Sequence, residues 1–281
     1  MARMTAGRAA ARGGQYLALL AYLVFLGFPL LWLVSIALKG PRELVSIHPT
    51  LIPRDIVWSN FAEALDDQAL LRSAGNSLIV SVVGMVAVTL VAVPTAYALT
   101  RFGHRLRKAA SVWILTSQVF PVILIIIPIF LILQQLHLLN SLTGLILVYL
   151  VWTLPFALWM LMGFIATIPR DLEEAAAVDG AGRLRIVFNV VLPLLMPGIV
   201  ATALFSFISC WNEFFFALVL LQDPSKKTIS LTLANYVGTE GLVRLGPLAA
   251  GALLATVPSL IFFGFLQRKL TSGLLAGAIK G

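Results

Sequence analysis

The sequence predicts an all-α polytopic membrane protein: six membrane-crossing helices and one short exposed helix between the fourth and fifth. Three observations carry this. Charged residues are 11% and hydrophobic ones 60% of the 281 residues, whereas soluble domains carry about 25% charged residues. Apolar runs of about 20 residues recur six times, enough to cross about 30 Å of hydrocarbon at about 1.5 Å per residue. Basic residues are shared unequally between alternate connecting segments, as membrane orientation requires.

The first expected span is Tyr16–Ala37. Arg3, Arg8 and Arg12 precede it. Its apolar run is longer than the core of a signal peptide and has no clear small-residue cleavage site, so it reads as a retained helix. The second to sixth spans are expected at Asn76–Leu99, Val112–Leu133, Leu142–Ile165, Pro197–Leu220 and Pro247–Leu266. Pro94, Pro121, Pro128, Pro155 and Pro258 fall inside spans. Proline removes a backbone donor and kinks a helix, which a membrane bundle tolerates. Each is either a hinge or an ordinary feature of membrane helices.

Orientation follows from Lys and Arg. Thirteen lie at the N-terminus, in the second and fourth connections (the Arg101–Lys108 cluster; Arg170, Arg183, Arg185) and after the last span; seven lie in the alternate segments, with none between the third and fourth spans. Both termini and the 166–196 segment are therefore expected in the cytoplasm. The long outer segments, 38–75 and 222–246, read either as docking loops for an external partner or as caps over helix ends. The net charge of +8 is accounted for by orientation and does not imply nucleic acid. Cys210 is the single cysteine, so no intrachain disulfide forms. The histidines at 48, 104 and 137 have no carboxylate or cysteine at ligand spacing, so no metal site is expected. No catalytic grouping stands out either.

The 166–196 segment carries the most specific signal. Pro169 suits a first helical turn. Asp171, Glu173 and Glu174 place negative charge where the macrodipole favours it, Ala175–Ala177 favour helix, and Gly180 is a natural stop. A second short helix is expected at about Arg183–Val191, before Pro193 and Pro197 lead back into the membrane. The spacing matches EAA-x3-G-x9-I-x-LP: Glu174-Ala175-Ala176, Gly180, Val190 at the Ile position, then Leu192-Pro193.

That pattern resembles the signature of ABC importer permeases of the type I fold. Trp211-Asn212-Glu213 and the tail from Leu270-Thr271-Ser272-Gly273 to Ile279-Lys280-Gly281 resemble the carbohydrate branch, and within it the shorter six-span permease of the maltose system. The resemblance implies a coupling helix seated in a cleft of a cytoplasmic ATPase subunit. Glu173, Glu174, Ala175, Ala176, Asp179, Gly180, Leu192 and Pro193 are the expected coupling residues. It further implies a second permease (a heterodimer), two ATPase subunits, an extracytoplasmic substrate-binding protein, a C-terminal tail near the ATPases, and a place in the inner membrane of a bacterial cell. No GxxxxGK[ST] loop occurs in the chain. ATP and Mg thus belong to the partner ATPase, and this chain is a transport subunit rather than an enzyme. The expected organisation is an N-terminal helix and outer segment (1–71), a permease core (72–266) and a tail (267–281).

Glu213 is the one charge expected within a span. It either lines a translocation path with Trp211 and Asn212 or fixes helix packing. Trp211 either stacks on a sugar or fills space. A secondary transporter or channel is the alternative function, but it needs several intramembrane ionisable groups. A membrane-embedded enzyme needs clustered His, Asp or Glu, which the chain lacks.

Overall fold

Long apolar runs with few charges fold as helices because only intrasegment hydrogen bonding satisfies the backbone in hydrocarbon. The computed structural model describes the backbone of residues 2–102, 104–237 and 243–278, with side chains over 11–67, 69–102, 106–237 and 243–265. The helices are α1 (Ala2–Ala37), α2 (Pro41–Leu44), α3 (Ser59–Asp66), α4 (Gln68–Arg101), α5 (His104–Val119), α6 (Val122–Gln135), α7 (Leu142–Thr167), α8 (Asp171–Val178), α9 (Arg183–Ile186), α10 (Leu192–Trp211), α11 (Phe215–Leu220), α12 (Ile229–Ala234) and α13 (Leu245–Ala278). Among the described residues no strand forms, only a bridge between Val237 and Val243. The expected all-α class holds.

Five helical stretches are long and apolar enough to cross a membrane: Ala11–Ala37, Ala69–Arg101, Leu142–Thr167, Arg183–Trp211 and Leu245–Phe265. The sixth expected span, Val112–Leu133, is not one helix. Leu106–Val119 and Val122–Gln135 meet at 99°. Pro121 sits at the break with φ −63° and ψ 123°, because a proline lacks the N–H for continuation and disfavours helix at the residue before it. Pro94, Pro128, Pro155 and Pro258 lie inside continuous helices.

The fifth span also differs from expectation. The separate helix expected over Arg183–Val191 runs on instead: α9, a π-turn at Val187–Val191 and α10 form one stretch. The Leu192 N–H donates to the Val187 carbonyl, a wider register just before Pro193 removes a donor. The stretch then stops at Trp211, and α11 follows after Asn212–Phe214.

The chain divides into two compact units, Met1–Gln68 with Leu233–Ala255, and Ala69–Thr232 with Thr256–Gly281. In the first, the segment after α1 packs over its C-terminal end. The Asn60 amide donates to the Ala37 and Lys39 carbonyls at 2.9 and 3.0 Å, Ser35 donates to the Leu51 carbonyl at 2.5 Å, and the Lys39 ammonium donates to the Thr50 carbonyl. The Asn60 bonds take carbonyls at and just after the end of α1, where a helix leaves them without partners, and the other two tie that end to residues 50 and 51. Glu43 accepts from the Thr50 hydroxyl at 2.7 Å, which holds its carboxyl below the ordinary range. Arg244 pairs with Glu63, and the Tyr236 hydroxyl donates to Asp67 at 3.0 Å.

In the second unit, α7 carries two cores. One joins Val88, Ala92 and Ala96 of α4 to Leu161 and Ile165 of α7 and to Ile186, Val191 and Leu195. The other joins Val80, Leu145, Tyr149, Cys210, Phe216 and Leu220. The Asn76 amide donates to the Ser225 and Lys227 carbonyls at 2.9 and 3.0 Å, and Ser77 Oγ accepts from the Ile229 N–H at 2.8 Å.

Candidate functional site

The loop between α7 and α9 is built by local signals. Arg170 is the N-cap of α8, and its carbonyl accepts from the Glu173 and Glu174 N–H groups at 2.9 and 3.0 Å. Asp171, Glu173 and Glu174 fill the first turn, where the helix dipole stabilises negative charge. At the other end, the Ala181 N–H donates to the Ala176 carbonyl and the Gly180 N–H to the Ala177 carbonyl, both at 3.0 Å. Gly180 has φ +83°. This is a Schellman closure, whose left-handed residue glycine supplies without a Cβ clash.

The two adjacent glutamates face different surroundings, as successive helical residues sit about 100° apart around the axis. Glu173 turns inward. Its Oε1 lies 2.6 Å from Arg101 Nε, with the two side chains only 14% and 7% exposed. Its Oε2 accepts from the Tyr97 hydroxyl at 2.7 Å. Arg101 also donates through Nη2 to the Ile168 carbonyl at 2.9 Å. Arg170 reaches back, donating to the Thr100 and Arg101 carbonyls at 3.3 and 3.4 Å. Those carbonyls close the negative end of α4, which favours a cation. The Arg183 guanidinium lies over the Phe102 ring at 5.7 Å.

Glu174, Ala175, Ala177, Asp179 and Gly180 are exposed. Leu172, Val178, Leu184 and Phe188 flank them, also exposed. Ala176 is half-buried and rests with Ala181 on the first core. Leu192 and Pro193 belong to the first turn of α10, beyond α9 and the π-turn, and are not part of α8. The arrangement presents small side chains, two acids and an apolar rim, a surface that admits close approach by another protein's cleft. Sequence reasoning missed Tyr97, Arg101 and Arg170 as partners of this loop. Arg101 read as an orientation charge, and its location in the last turn of an apolar span, facing an acid-rich loop, was the one available clue.

Trp211 ends α10, and Asn212 and Glu213 open the break before α11, so the three sit in different environments. Trp211 is buried and stacks on Phe207 at 5.8 Å, which stacks on Phe262 at 3.9 Å. Asn212 is exposed. Glu213 accepts from the Tyr149 hydroxyl at 2.7 Å and from the Phe216 and Ala217 N–H groups at 2.9 and 3.2 Å. The carboxylate thus satisfies the leading donors of α11, as a capping side chain does. The expected tail is described as backbone to Ala278; Ile279, Lys280 and Gly281 lie outside the described residues.

A family model described as "Binding-protein-dependent transport system inner membrane component" matches residues 88–274. A protein of Streptomyces antibioticus, named provisionally as ABC transporter permease protein ORF1, is 52% identical over 229 residues, covering 82% of this chain and 100% of that one. The diacetylchitobiose uptake system permease protein DasC of Streptomyces coelicolor is 36% identical over 263 residues, covering 93% of this chain and 95% of that one. Among solved structures, a bacterial ABC transporter involved in the import of the acidic polysaccharide alginate matches with a TM-score of 0.75 at 25% identity, over 93% of this chain and 97% of that chain.

Proposed function

Because the chain belongs to the family of binding-protein-dependent transport system inner membrane components, we propose that it is the permease subunit of an ATP-driven importer for a sugar or sugar derivative. The substrate class rests on the diacetylchitobiose and alginate systems to which the chain is similar. The transport role rests on one observation above the others: α8, a short helix with an acidic first turn and a glycine closure, whose exposed side carries Glu174, Ala175, Ala177 and Asp179.

In this reading α8 is the coupling helix. Its exposed side seats in a cleft of a cytoplasmic ATPase subunit, with Leu172 and Val178 on the rim. Gly180 sets the turn, Ala176 the seating on the permease core, and Leu192-Pro193 the entry into α10. Glu173 contributes from the inner side. Two ATPase subunits bind ATP and Mg, close on each other, and drive the paired permeases from inward-facing to outward-facing. A second permease supplies the other half of the pathway, and an extracytoplasmic binding protein delivers the sugar. Both termini lie in the cytoplasm, residues 72–266 form the core of the pathway, and the tail from 267 lies near the ATPases. Glu213 and Trp211 act mainly through packing, which leaves Asn212 as the member of that trio open to the pathway.

The test is uptake in a strain lacking this permease, complemented with the wild type or Glu174→Lys, using radiolabelled diacetylchitobiose and a panel of other sugars. Wild-type complementation restores uptake of at least one sugar. Glu174→Lys inserts normally and restores none. Normal uptake by Glu174→Lys contradicts the coupling role.

A further inference from the structure

We propose that Arg101, Glu173 and Tyr97 form a brace that makes α8 and the adjacent end of α4 move as one body, so that these three are positioning residues rather than contacts for the ATPase. The proposal rests on the coupling role of α8 and specifies how displacement leaves it.

The contacts are reciprocal. Arg101 reaches forward to Glu173 and to the Ile168 carbonyl, while Arg170 reaches back to the last carbonyls of α4. Tyr97, one turn earlier on α4, takes the second Glu173 oxygen. One carboxylate therefore holds two side chains of α4 through both its oxygens. The Arg101 contact is a close, largely buried ion pair, the Tyr97 contact is a charge-assisted hydrogen bond of the strong kind, and removing one member strands a largely buried charge. Helix α8 has only 8 residues, too few to hold a helix in water unaided; it packs on α9 and the π-turn, with Ala176 and Ala181 on the first core. Helix α4 supplies the polar contacts that fix its orientation.

Helix α4 runs for 34 residues. Near its far end, Asn76 and Ser77 hold the 225–229 segment through three hydrogen bonds. A push on α8 thus has a continuous hydrogen-bonded route along one helix to the outer segment of the same unit.

The experiment uses the full transporter reconstituted in nanodiscs. Nitroxide labels at Val91→Cys and Asp171→Cys, both exposed sites, report the α4–α8 distance by pulsed electron resonance, nucleotide-free and vanadate-trapped. The wild type gives one narrow distance, the same in both states. Glu173→Gln and Arg101→Gln still capture the ATPase, but at least double the width of the distribution and cut binding-protein-stimulated ATP hydrolysis at least fivefold. Arg101→Lys recovers part of both. A wild-type distance that changes between states overturns the brace, as does an unchanged distribution or unchanged stimulation in Glu173→Gln. Loss of ATPase capture by Glu173→Gln also overturns it, since Glu173 is then a contact residue. Failure of all three variants to insert makes these residues a folding requirement and overturns it too. Glu174→Lys, measured in parallel, tests the coupling role itself: if it still captures the ATPase, that reading fails, whatever the distances show.

Discussion

Tyr149 donates its hydroxyl to the Glu213 carboxylate at 2.7 Å, which ties the middle of α7 to the break between α10 and α11. The same carboxylate accepts two N–H groups of α11, so a single side chain holds three donors. Glu213→Ala leaves those donors without their acceptor. A buried donor left unpaired costs about 1–3 kcal/mol, so the melting temperature in detergent falls clearly. Glu213→Gln, which keeps one acceptor oxygen, falls less. The KM for the transported sugar stays at the wild-type value in whatever fraction of Glu213→Gln folds; a raised KM with unchanged melting places Glu213 in the pathway instead.

At Gly198, α10 packs directly against Phe164 of α7. A Cβ there meets Phe164 Cγ at 2.5 Å and its Cβ at 2.8 Å, and atoms so near the backbone do not move aside cheaply. Gly198→Ala costs about 1–3 kcal/mol, as overpacking does, and Gly198→Val costs more. Thermal melting of the purified permease reads this directly, with Gly163→Ala as the comparison, since nothing lies within 4 Å of a Cβ at Gly163.

Gly180 holds φ +83° with open space around its Cβ position, so the objection to a side chain there is conformational rather than steric. Gly180→Val costs about 1–2 kcal/mol locally and loosens the turn that ends α8. Insertion and yield stay near wild type, while ATPase capture by pulldown falls. Gly182→Ala, with no positive φ and no neighbour within 4 Å, leaves capture unchanged.

Burial first, and then the hydrogen bond to Asp67, push the Tyr236 hydroxyl up from its ordinary value of 10.0 to about 12. The raised value means the neutral phenol is favoured in the folded state. Its stabilising contribution is full below pH 10 and is lost as the pH rises towards 12. Stability measured by melting from pH 9 upward falls more steeply in the wild type than in Tyr236→Phe. Parallel curves contradict this.

The helices were readable because hydrocarbon demands long apolar runs, and α8 because its acids, alanines and glycine are local signals at fixed spacing. The 99° turn at Pro121 was less accessible: several prolines sit in apolar runs, and sequence alone does not say which one neighbours will straighten. The stop at Trp211 was hidden for a related reason, since a carboxylate in an apolar run looks like a buried charge until its partners, Tyr149 and the N–H groups of α11, are in place. The Arg101–Glu173 pair was invisible because its members lie on separate helices and each has a sufficient local explanation, orientation for one and the helix dipole for the other.

The central claim is that the exposed side of α8 meets the ATPase. Cys210 is the only native cysteine and is buried, so a single exposed cysteine can be placed on this background and tested with a bifunctional maleimide in membranes containing the whole transporter. Ala177→Cys is predicted to form a permease–ATPase adduct whose yield changes on vanadate trapping, while Ser225→Cys in the outer segment forms none. An adduct from Ser225→Cys and none from Ala177→Cys would contradict the account.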